Sequence, residues 1–94
     1  MRAIRKHPGE PIEVIDIKNS LGALQDEVGG YIETVTLWED AVVICNEDGR
    51  LSGEPYNCTL CGVSFVGTIL IVGVYGDEFT DCPATLEEIE QVME

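Results

Sequence analysis

Four cysteines, one histidine and several adjacent carboxylate pairs are the residues of this chain with the most chemical potential. Cys58-Thr59-Leu60-Cys61 has the Cys-x-x-Cys spacing that supplies half of a tetrahedral zinc site, and Cys45 and Cys82 are the only thiols left to complete it. A second close pair is missing, and Cys45 lies in the apolar run AVVIC, where cysteine behaves as a small hydrophobe. A redox Cys-x-x-Cys starts a helix, whereas Gly62 follows this one. The four thiols are therefore read as reduced and structural, without a cofactor, and a zinc site on Cys45, Cys58, Cys61 and Cys82 is the minority alternative. His7 stands in a proline-flanked basic segment without a nucleophile to activate, so it is expected to be solvent-exposed. With no nucleophile–base pair to assemble, the chain is not read as an enzyme.

The carboxylate pairs Asp26-Glu27, Glu39-Asp40, Glu47-Asp48 and Asp77-Glu78 fall at expected helix ends and turns, where acids are ordinary. Their spacing selects no acid–base dyad, but their number matters. Eighteen acidic residues face five basic ones, a net charge of −13. Arg2, Arg5, Lys6 and Lys18 lie in the first 18 positions, and beyond them Arg50 alone faces 15 acids. Such a surface repels nucleic acid and anionic lipid and attracts basic partners. Solubility is the plainer explanation. Glu39, Asp40, Glu47, Asp48, Asp77 and Glu78 are the acids expected to meet a basic partner. The loop NEDGRLSGEPYN adds Asn46, Arg50, Tyr56 and Asn57, which suit a planar or anionic ligand. Its competing reading is a turn whose side chains bond their own backbone, with Arg50 pairing Glu47 or Glu54.

These groups are positioned by a chain of 94 residues, enough for one domain, 1–94, near the lower end of what one core stabilises. Leu21 to Cys45 organises it. Leu21, Leu24 and Val28 share a helical face, Asn19 or Ser20 caps the start, and Gly29-Gly30 ends the helix. YIETVTLW then alternates, with Tyr31, Glu33, Val35 and Leu37 opposite Ile32, Thr34, Thr36 and Trp38. Glu39-Asp40 connects it to AVVIC. Before this stretch, Arg2 to Lys6 and Pro11 to Ile17 read as a strand pair or one broken strand. After it, Leu51 to Gly62 reads as a structured loop and SFVGTILIVGVYG as one strand covered on both faces, with Gly67 and Gly73 marking bulges or close backbone approach. Asp77 to Cys82 is expected to be loop. Thr85 and Glu88 form a capping box for a last helix whose apolar face is Leu86, Ile89 and Met93, and whose end frays. The expected fold class is α+β: a small single domain with a four- to five-stranded, mostly antiparallel sheet, one short internal helix and one C-terminal helix. No apolar run is long enough for a membrane span, and MRAIRKHPGEP lacks the apolar region of a signal peptide. A cytoplasmic location is expected.

Four segments occur in order: L-x-A-L-Q-x-x-V-G-G-Y-I-E at Leu21 to Glu33, N-E-D-G-x-L at Asn46 to Leu51, P-x-N at Pro55 to Asn57, and G-T-x-x-I-V-G at Gly67 to Gly73. Together they resemble the domain of unknown function 3846 family over roughly residues 12 to 75. The resemblance implies a setting in phages, plasmids and gut-bacterial mobile elements, without a settled activity. Family members often continue past Pro-x-Asn with basic residues, whereas Cys58 stands here, which counts against phosphate binding by this loop. Charge and setting together lead to the expected function. It is a small acidic binding protein of a phage or mobile element that inhibits a host defence or nucleic-acid-handling protein by electrostatic mimicry, as an anti-CRISPR protein does. The partner would be a basic host protein such as a CRISPR nuclease, with no direct contact to nucleic acid or membrane. The alternative is a small-ligand module that sequesters a nucleotide signal through the 46–57 loop.

Overall fold

The two apolar runs AVVIC and ILIV dictate the architecture, because a strand apolar on both sides must be covered on both sides. In the computed structural model, which describes residues 1–94, these runs are the central strands of a six-stranded antiparallel sheet. The strands are β1 (Arg2–Lys6), β2 (Glu13–Asp16), β3 (Ile32–Trp38), β4 (Ala41–Asn46), β5 (Tyr56–Leu60), β6 (Val63–Val66), β7 (Ile69–Tyr75) and β8 (Glu78–Thr80). The helices are α1 (Leu21–Val28) and α2 (Leu86–Val92). The sheet order is β2-β1-β7-β4-β3, and β8 also pairs with β7; β5 and β6 form a separate hairpin. The α+β class expected from the sequence is the one observed.

Alternation along the central strands sorts their side chains into two cores. Ala3, Val42, Ile44, Leu70 and Val72 meet Leu24 and Val28 of α1 on one face. Ile4, Val43, Cys45, Ile69 and Ile71 meet Cys58, Leu60 and Phe65 of the hairpin and Ile89 of α2 on the other. Three layers result: α1, the sheet, then the hairpin with α2. The caps hold both short helices. Ser20 Oγ accepts from the Ala23 N–H at 3.2 Å, and Gly29 ends α1 at φ 82°. At α2 the Thr85–Glu88 capping box is formed in both directions.

Several local expectations are corrected. There are eight strands rather than four or five. The expected loop Leu51 to Gly62 contains β5, and the expected loop Asp77 to Cys82 contains β8. The single strand SFVGTILIVGVYG is two, broken at Gly67, whose φ of 70° redirects the chain. A register shift between Thr36 and Trp38 turns the Trp38 ring onto the Leu37 side, where both pack on the hairpin-side core. Leu21 is 58% exposed and leaves the helical face to Leu24 and Val28. The C-terminal end is tied, not frayed: the Cys61 N–H donates to the Val92 carbonyl and the Glu94 N–H to the Thr59 carbonyl. No helix is long and apolar enough to cross a membrane.

Candidate functional site

The cysteines are divided by burial. Cys45, Cys58 and Cys82 belong to the hairpin-side core, and Cys61 is exposed at the tip of the β5–β6 hairpin, with a φ of 48° beside Gly62 at 82°. No three His, Cys, Asp or Glu side chains gather in a group that could hold a metal ion, and Cys61 stands exposed while Cys45, Cys58 and Cys82 are buried. Desolvation pushes the Cys45, Cys58 and Cys82 thiols up from their ordinary value, with Glu33 adding to the effect at Cys45. That favours the neutral thiol over the thiolate a metal or redox centre requires.

The 46–57 loop does not converge on one place. Asn57 is 7% exposed, and its amide donates to the Lys6 and Gly67 carbonyls at 2.8 and 2.7 Å while Lys6 Nζ donates to its Oδ1 at 2.8 Å. All of its usual partners are internal, so it pins the start of β5 to the end of β1 instead of offering itself to a ligand. Tyr56 is exposed and its hydroxyl contacts Thr59 Oγ1 at 2.7 Å. Arg50 pairs with neither Glu47 nor Glu54; its guanidinium donates to the Ser64 carbonyl at 2.7 Å. A cavity of about 220 Å³ between β3, the end of β4 and β6 contains Arg50 and Asn46, with Glu33, Glu47, Val63 and Phe65 in its wall. Tyr56 and Asn57 line no cavity. His7 is half-buried rather than solvent-exposed, its Nδ1 2.7 Å from Thr68 Oγ1.

A larger cavity, about 500 Å³, opens between the C-terminal end of α1 and the turn after β4. Gln25, Asp26, Gly29, Gly30 and Tyr31 line it from one side and Asn46, Asp48 and Ser52 from the other. Asn46 is set in place by accepting the Asp48 N–H at 2.8 Å and by packing on Gly30, where a Cβ would lie 3.0 Å from its amide. All of the lining except Ser52 comes from Leu21 to Glu33 and Asn46 to Leu51, two of the segments that carry the family resemblance. Of this lining, sequence reasoning singles out Asn46 and Asp48 as site residues and misses Gln25, Asp26, Tyr31 and Ser52. The signal was present in the motifs, but only the fold shows that the two segments meet.

Charge completes the site. Arg2 donates to the Cys82 and Ala84 carbonyls, Lys6 to Asn57 and Arg50 to Ser64. Arg5 holds Glu13 and Glu27; burial opposes its charge, but these bonds outweigh burial and raise its pKa. Lys18 alone among the Lys and Arg side chains is exposed with no internal partner. Of the 18 acids, Glu13, Asp16, Glu27, Asp81 and Glu88 accept internal bonds, and the carboxylates of the remainder accept none. The six acids named for partner binding split between two ends of the sheet. Glu39 and Asp40 precede β4 and lie beside Asp77 and Glu78, since the Val74 N–H donates to the Asp40 carbonyl and Ala41 pairs with Gly73. Glu47 and Asp48 follow β4 at the opposite end, where Asp48 lines the larger cavity and Glu47 the smaller.

A family model described as a domain of unknown function, DUF3846, matches residues 1–94, the whole chain. Neither the curated proteins nor the solved structures contain a match.

Proposed function

The chain belongs to the DUF3846 family, and from that premise we propose that it is a small acidic binding protein that occupies a cationic surface of a nucleic-acid-handling protein and opposes its action. One observation supports the reading most: four of the five Lys and Arg side chains are bonded within the fold while most of the carboxylates point outward unpaired. A groove evolved for phosphates meets here a compact body with a dense negative field. The setting is that of a mobile element acting against a host defence protein in the cytoplasm, a CRISPR nuclease being the type of target. No catalytic group is required. Sequestration of a nucleotide signal by the 46–57 loop has less support, because Asn57 is consumed internally, Arg50 bonds Ser64, and Tyr56 stands apart from both cavities.

The test is a titration of the immobilised chain with purified basic nucleases over a range of salt. A true mimic binds at low salt, is displaced by oligonucleotide, and loses affinity steeply as salt rises. Binding that ignores both salt and oligonucleotide defeats the reading.

A further inference from the structure

We propose that the cavity between α1 and the turn after β4 is a receptor for a guanidinium group, the side chain of an arginine on the basic partner. At about 500 Å³ it lies within the size range of ligand sites and is wider than one arginine head needs, leaving room for the adjoining peptide. Its side chains are unspent. Those of Gln25, Asp26, Tyr31, Asp48 and Ser52 make no hydrogen bond within the chain, and Asn46 uses only its Oδ1. These groups are therefore free to bond an incoming ligand.

The chemistry of the wall selects the occupant. Asp26 and Asp48 supply two carboxylates, and Gln25, Tyr31 and Ser52 add neutral oxygens that accept. No lysine, arginine or histidine lines the cavity, so a phosphate would meet two carboxylates with no cation to offset them. Tyr31 is 69% exposed and presents the single aromatic ring of the lining, a face on which a flat cation stacks. A guanidinium is planar and carries five N–H donors that pair bidentately with carboxylate, whereas an ammonium is a compact, strongly hydrated point charge. The ring and the two acids therefore favour arginine over lysine. A protein-borne arginine is favoured over the free amino acid, whose own carboxylate would be brought against Asp26 and Asp48 in a molecule of net charge −13. Gly30 keeps the wall flush, because a Cβ there would crowd the Asn46 amide.

This inference rests on the reading that the partner is a basic protein, and its test is separable from that reading. Amide chemical shifts of the intact chain are followed during titration with a capped Gly-Arg-Gly peptide, its Gly-Lys-Gly counterpart, and free arginine. The arginine peptide is expected to give saturable shifts at residues 25–31 and 46–52, with the lysine peptide and free arginine each several-fold weaker. The double variant Asp26→Asn, Asp48→Asn, whose side chains are exposed and bond nothing within the chain, should fold and weaken the arginine peptide by about tenfold. Tyr31→Leu should weaken arginine more than lysine. Equal binding of both peptides, tighter binding of free arginine, shifts spread over all the acids, or an unchanged double variant each overturn the proposal. If the nuclease is captured in a salt-sensitive manner while the cavity stays silent, only this inference falls. If the cavity saturates but no basic protein is captured, the functional reading falls instead.

Discussion

Single side chains here divide sharply into those the fold consumes and those it leaves free. The thiols show this in a form that labelling can read. Cys45, Cys58 and Cys82 are buried and hold their protons above the ordinary thiol value of 9.0, while Cys61 stands exposed on its turn. At pH 8 a thiol reagent should modify one cysteine of the native chain rapidly and the other three only after denaturant is added; mass spectrometry identifies the site. The same burial fixes the sign of a pH effect. Above pH 9.0 the unfolded chain releases thiol protons that the folded chain retains, so the unfolded state binds fewer protons and stability falls as pH rises. The urea midpoint should thus drop between pH 8 and pH 10, and Cys82→Ala should make that decline shallower. Asn57 is the consumed polar counterpart. Replacing it with alanine strips partners from the Lys6 and Gly67 carbonyls and from Lys6 Nζ together, an expected loss of about 3 kcal/mol by urea unfolding. A ligand-contact role would instead leave stability unchanged, so this measurement also decides what the Pro-x-Asn segment is for.

At the scale of elements, the parts legible in the sequence are those whose pattern is continuous. The all-apolar runs of β4 and β7, the α1 start at Ser20, its stop at Gly29 and the Thr85–Glu88 box each carry a local signal that the tertiary structure keeps. What was illegible depends on partners distant in sequence. β5 hides because a register shift between Tyr56 and Cys58 breaks its alternation, leaving Asn57 and Cys58 both buried. β8 is three residues long and exists only as the pairing of Glu78–Thr80 with β7. The larger cavity is illegible for the same reason: the turn after β4 and the end of α1 meet through the sheet and not through any spacing. Gly73 is where one such long-range contact can be tested. A Cβ there would run into the Asp81 carbonyl oxygen and Thr80 Oγ1, where β8 crosses beside β7. Gly73→Ala should cost about 3 kcal/mol and should raise hydrogen exchange first along 78–82, since β8 yields more easily than the central strands. Gly22→Ala, with nothing within 4 Å of the added carbon and a helical position, should by contrast be neutral or stabilising.

For the whole molecule the governing quantity is a net charge of −13 on a body with 5260 Å² of surface and extents of 31 × 30 × 20 Å. At physiological salt the screening length is about 8 Å, well under those dimensions, so the acids at the two ends of β4 act as separate fields. A basic partner of the kind proposed would meet one end at a time, and the end that holds both a cavity and a field includes Asp26, Glu47 and Asp48. This makes salt act in opposite directions on stability and on binding. Within the free chain the carboxylates repel one another and few internal ion pairs exist to be weakened, so added salt relieves strain in the folded state. The midpoint of thermal unfolding should rise by about 5 °C between very low and physiological salt, the equivalent of roughly 1 kcal/mol for a chain of this length. Between the chain and a basic partner the same ions screen attraction, so affinity should fall over the same range. Calorimetry of the free chain and titration of the complex in matched buffers measure the two slopes. Parallel slopes would mean that the acids serve only to keep the protein in solution, and that whatever recognition occurs is carried by its apolar surface.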